Sequence, residues 1–121
     1  MNIWFVIAGA LSIFVCLLHI FLGGREAAKP LLASKELGRT AKYTNYYCWH
    51  LVTISIAIMG GMFLWTGFGA GWELALVASI LAGLFCLWSV GIVVLNKGRL
   101  WQFPQWLLFA PIVAAGLKGL L

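Results

Sequence analysis

The chain has 121 residues, of which 64% are hydrophobic and 9% charged, with a formal net charge of +5. Soluble domains average about 25% charged residues, so a globule of this composition would lack a polar coat; a membrane protein remains, with no connection long enough to hold a separate enzymatic domain. The positive balance does not indicate nucleic acid, because seven of the eight Lys and Arg flank apolar stretches, where anionic lipid headgroups and topology account for them.

Four apolar stretches are expected to cross the bilayer: Ile3 to Leu22, Tyr46 to Phe68, Leu74 to Leu95 and Trp101 to Leu117. At about 1.5 Å rise per residue each approaches or exceeds the span of a hydrocarbon core of roughly 30 Å, the last being the shortest. The fold class is therefore all-α, an integral-membrane four-helix bundle in a single domain.

Span 1 begins directly after Met1 and Asn2, without the basic region of a secretory signal, and reads as a retained anchor whose N-terminus is translocated. It carries a row of small residues, Ala8, Ser12 and Cys16, and His19 extends that row by one step. Gly23-Gly24 is expected to end the span. In the long connection that follows, Pro30 suits the start and Gly38 the stop of a short interfacial helix over Pro30 to Leu37. Arg25, Lys29, Lys35, Arg39 and Lys42 lie in this connection, and Arg25, Lys29, Arg39 and Lys42 are the candidate contacts for lipid headgroups or a partner.

Span 2 opens on Tyr46, Tyr47, Trp49 and His50 and continues in a small row of Thr53, Ala57 and Gly61. Connection 2 is the tight Gly69-Ala70-Gly71, with Glu73 its only charged neighbour. Span 3 offers Ala75, Ser79 and Gly83, and connection 3, Asn96-Lys97-Gly98, is equally tight, so spans 2, 3 and 4 are expected to be antiparallel neighbours. Span 4 contains Pro111, which frees the carbonyl of Leu107 and predicts a kink. Ala110 and Ala114 are expected to serve the bundle, which leaves Ala115 and Gly119 to receive a partner helix or a second copy of the chain.

Basic residues are concentrated in connections 1 and 3, including Lys97 and Arg99, which places those connections in the cytoplasm and both termini outside. Lys118 is the exception, close enough to the far end of span 4 to snorkel. Trp4, Trp65 and Trp72 then belong to the outer aromatic belt, and Tyr43, Tyr46, Tyr47, Trp49 and Trp101 to the inner one.

His19 and His50 are the candidate cofactor-binding residues, at similar depth on neighbouring spans. A zinc site with Cys16 and Cys48 fails on geometry, because Cys48 and His50 point about 200° apart on a helix. Haem ligation by both histidines, or a quinone or lipid headgroup pocket between them, stands against the plainer view that His19 bonds within the bundle and His50 joins the belt. Coupled transport lacks a buried carboxylate, and nucleophilic catalysis lacks a base and an orienter for any Ser or Cys. The three cysteines, odd in number and inside spans, exclude a disulfide framework.

The stretches His19-Ile-Phe-Leu-Gly-Gly-Arg-Glu, Tyr46-Tyr47-Cys48-Trp49-His50 and Pro104-Gln105-Trp106 give the chain a look similar to small four-span proteins of bacterial inner membranes. This resemblance is one of architecture over most of the length. It implies a compartment and a fold, with no chemistry attached to the motifs. The expected function is association, as an accessory or assembly subunit of a larger membrane complex, with a small redox, haem or quinone-linked protein using His19 and His50 as the alternative.

Overall fold

The computed structural model describes residues 1–69 and 71–121, and among these the regular structure is entirely helical. Helix α1 (Ile3–Leu18) runs without interruption into a π-helical segment (His19–Ala28) and then α2 (Lys29–Ala33). After a short bend come α3 (Arg39–Gly67), α4 (Glu73–Leu95) and α5 (Gln105–Leu120). Three rods, Ile3–Ala33, Arg39–Gly67 and Glu73–Leu95, are long and apolar enough to cross a membrane; α5 is shorter, at 16 residues.

Several boundaries differ from expectation, each for a local reason. Gly23-Gly24 does not end the first helix: the backbone continues through it as a π-helix, and the Trp49 ring lies over both glycines, so packing overrides their low helix propensity. The short helix is Lys29–Ala33 rather than Pro30 to Leu37 and is continuous with the rod before it. Helix α3 starts at Arg39 because the polar residues before Tyr46 are no bar to helix, only to burial in lipid. Helix α5 starts at Gln105 because Pro104 lacks an N–H and biases Phe103 away from helical backbone, excluding Trp101 to Phe103. In the turn between α3 and α4, Gly69 takes φ +120°, open to glycine at little cost, while Ala70 lies outside the described residues.

The rods pack in a ring in which α1 touches α3 and α5, and α4 touches α3 and α5. Spans 2, 3 and 4 are thus sequential neighbours, as the tight connections predicted. Buried positions recur at steps of three and four: Phe5, Ala8, Ser12 and Val15 on α1; Ile56, Met59, Gly60, Phe63 and Gly67 on α3. On α4 they are Ala75, Ala78, Ser79, Ala82 and Ser89, and on α5 Phe109, Ile112, Ala115 and Gly116. This seven-residue recurrence is the spacing of gently inclined, left-handed helix packing. Phe63 and Met59 fill the centre, and the hydroxyls of Ser12 and Ser79 turn back to Ala8 O and Ala75 O at 2.8 and 2.7 Å, satisfying themselves on their own helices.

The small rows of α1 and α4 face inward as expected for Ala8, Ser12, Cys16, Ala75 and Ser79. Those of α3 and α5 do not. Ala57 and Gly61 are exposed, and the neighbouring Gly60 makes the close approach instead: a Cβ there would stand 2.8 Å from Ile13 Cδ1. On α5, Ala114 is exposed, whereas Ala115 is buried and Gly119 lies against the Phe5 ring. Ala115 and Gly119, expected to receive another helix, are therefore taken up by contacts within the chain.

One end of the ring is tied by Asn2. Its side chain accepts from Trp4 N–H at 3.1 Å to cap α1 and donates to Gly119 O at 2.8 Å, while its backbone N–H donates to Gly67 O at 2.9 Å. Helix termini leave carbonyls without partners, and this single residue satisfies one on α3 and one on α5 while starting α1. Lys118 reaches the same end, with its ammonium 4.4 Å from the centroid of the Trp4 ring. The opposite end, around Trp49, is built quite differently.

Candidate functional site

At the Trp49 end the π-helical segment and α2 lean against the first half of α3 and leave a groove of about 390 Å³. Its walls are His19, Ala27, Ala28 and Leu31 on one side and Asn45, Cys48, Trp49 and Val52 on the other. π-helical turns close i to i+5 bonds, carry an extra residue relative to an α-turn and are frequent at functional sites. Here the widened turn brings Ala27 and Ala28 round to face α3.

Trp49 organises the site. Its ring stacks on His19, with centroids 4.6 Å apart and planes inclined by 21°, and it passes over Gly23 and Gly24, where a Cβ would come within 3.8 Å. His19 Nε2 lies 3.2 Å from Trp49 O. A carbonyl only accepts, so this bond puts the imidazole proton on Nε2 and leaves Nδ1 as the acceptor, on the side of Gly23. Trp49 O also accepts from Thr53 Oγ1 at 3.2 Å. The indole N–H of Trp49 is buried near Gly23 and has no hydrogen-bond partner among the described residues.

His50 takes no part in this stack. It is exposed, and its ring meets Tyr46 and Trp49 edge-on at centroid distances of 4.5 and 5.1 Å. The two histidines share one end of the molecule, but the residue that meets His19 is Trp49. The reason lies in helix phase: the inward face of α3 runs through Trp49, Thr53, Ile56, Gly60 and Phe63, and His50 stands about 100° from it. Cys16 is buried and donates weakly to Thr53 O at 3.7 Å, and Cys48 is exposed on the groove wall, so the four residues of the rejected zinc grouping are dispersed. Among the described residues no three His, Cys, Asp or Glu side chains gather closely enough to hold a metal ion.

The candidate headgroup residues also collect at this end. Arg25 on the π-helical segment, Lys29 on α2 and Arg39 on the first turn of α3 are exposed, and Lys42 is half-buried. Lys42, Asn45, Trp49 and Val52 follow one another at steps of three and four, so Lys42 shares the groove face of α3 one turn nearer its start. The Asn45 amide N–H donates back to Ala41 O at 2.8 Å.

The groove itself escaped sequence reasoning. The signal that could have exposed it was the pair Gly23-Gly24 opposite a tryptophan in a segment otherwise rich in large apolar residues, a place where a ring can lie flat on backbone. Comparison of the chain with family models, with curated proteins and with solved structures finds no match.

Proposed function

We propose that the chain is a four-span protein of the bacterial inner membrane that acts by association, as an accessory or assembly subunit of a larger membrane complex. Three helices have the length and apolar character to cross a bilayer. The shorter α5 is proposed as the fourth span because it runs the same course: Gly119 meets Asn2 at one end, and Cys86 on α4 donates to Trp106 O at 3.6 Å near the other. The concentration of Arg25, Lys29, Lys35, Arg39, Lys42, Lys97 and Arg99 supports a cytoplasmic Trp49 end, with both termini outside.

The observation that carries association is the outward face of α3. Ala57 and Gly61, spaced by four, are exposed, and a Cβ on Gly61 would meet nothing within 4 Å. Trp65 and Phe68 stand beside the opening as exposed rings. Lipid tails offer no hydrophobic drive for helices to pair, so close backbone approach at small residues is the available route, and this face leaves it open. Ala57→Leu and Gly61→Leu should weaken self-association or pairing with a partner subunit in native-detergent sizing and crosslinking, with melting unchanged. Parent-like migration and crosslinking of both variants would reject this face.

A further inference from the structure

We infer that the groove beside Trp49 seats one acyl chain of an anionic phospholipid, whose phosphate is held at the groove mouth by Lys42 and Arg39. This rests on the membrane reading above and is independent of association through α3. The inner part of the groove is lined by Ala27, Ala28, Leu31 and Val52, which leave space without offering polar atoms. Its deeper polar side chain is engaged: His19 Nε2 is turned to Trp49 O. That arrangement suits a hydrocarbon chain better than a quinone ring, whose carbonyls need free donors at depth.

Charge lies at the mouth. The connection from Gly23 to Asn45 carries Arg25, Lys29, Lys35, Arg39 and Lys42 against Glu26 and Glu36. Lys42 is half-buried on the groove face, and Arg39 precedes it by three residues on the same face. The first turn of α3 has no side-chain cap, so its free N–H groups add to the positive potential around these two cations. From Asn45 to Val52 the helix rises about 10 Å, which keeps the apolar slot within one leaflet of a core roughly 30 Å thick. A phospholipid with its phosphate at Lys42 and one chain along Trp49 and Val52 matches this sequence of charged, then apolar, surface.

The experiment uses the full chain, delipidated in mild detergent and titrated with phosphatidylglycerol or phosphatidylcholine under native mass spectrometry. Each basic residue near an anionic surface contributes about fivefold, so Arg39→Gln with Lys42→Gln should weaken phosphatidylglycerol retention roughly twentyfold. Ala27→Phe, at an exposed wall position, should reduce retention with all charges intact, and Leu31→Trp serves as a second filling variant. Lys97→Gln with Arg99→Gln should retain the lipid as the parent does. Phosphatidylglycerol should also slow maleimide labelling of Cys48 on the groove wall, located by peptide mapping.

Equal retention of the two lipids would overturn the inference, as would equal loss in the Lys97 and Arg99 variant. So would displacement of the lipid by ubiquinone that depends on Ala27 but not on Arg39 and Lys42. Release of the chain from membranes by carbonate would sink the membrane reading and this inference together, whereas firm retention without lipid preference sinks this inference alone.

Discussion

The two ends of the molecule close the same ring by opposite means. At the Asn2 end backbone meets backbone: one side chain and one N–H join three helix termini, and Gly67 and Gly119 let Val6 and Phe5 sit where a Cβ would otherwise be. At the Trp49 end the helices stand further apart, joined by an aromatic stack and one imidazole-to-carbonyl bond, with a groove between them. Close approach gives tight, inflexible packing; ring-mediated contact leaves room for a ligand. Rigidity and receptivity are thus separated along the length of one small protein.

Substitutions at the glycines of the two ends give the sharpest contrast. Gly119→Leu collides with Phe5 at the tight end and should destabilise by about 3 kcal/mol, the upper part of the usual range for overpacking. Reversible unfolding in mixed micelles, followed by helical circular dichroism, measures it. A parent-like midpoint would mean that the ends of α1 and α5 are not held together.

Asn2→Ala removes a helix cap and the donor to Gly119 O, and a loss of about 2 kcal/mol is expected by the same measurement. The companion Asn2→Ser, which keeps a capping oxygen, should recover roughly half of it. Recovery of all of it would show that the tie to Gly119 contributes nothing.

His19→Phe keeps a ring on Trp49 but deletes the bond to its carbonyl, so about 1 kcal/mol is expected at the Trp49 end. His50→Phe, at an exposed position, should stay within about 0.5 kcal/mol of the parent. If the His50 variant proves the more damaging, the assignment of Trp49 as the residue that meets His19 is wrong.

The smallest effect has the opposite sign. A Cβ on Gly23 would make ordinary contacts, 3.7 Å from His19 Nδ1 and 3.8 Å from Trp49 Nε1, so Gly23→Ala should stabilise by about 0.5 to 1 kcal/mol through lost flexibility of the unfolded chain. Destabilisation there would show that the Trp49 end is packed as tightly as its opposite.

Hydropathy made the helices legible, and the tight connections made the order of neighbours legible. Facing was harder. Where one small residue occupies each turn, as at Ala8, Ser12 and Cys16, the inward face follows directly. Where small residues are adjacent, as in Gly60-Gly61 or Ala114-Ala115-Gly116, two faces are equally open to close approach, and large neighbours decide between them. Phe63 and Ile56 commit α3 to Gly60, and Ile112 and Phe109 commit α5 to Gly116. The same one-residue ambiguity separated Trp49 from His50. The groove was invisible because it depends on a change of helix type, which neither hydropathy nor glycine content encodes, and Asn2 was passed over because its partners lie as far as 117 positions along the chain.

The π-helical segment also ties the groove to residue count. An i to i+5 turn holds a residue more than an α-helix needs, so deleting one position within His19–Ala28 would let an α-turn re-form and rotate everything beyond it by about 100°. Ala27, Ala28 and Leu31 would swing away from α3 together, with their identities untouched. A single-codon deletion could thus erase a cavity that point substitutions merely reshape, making chain length in this stretch as much a part of the binding surface as its side chains.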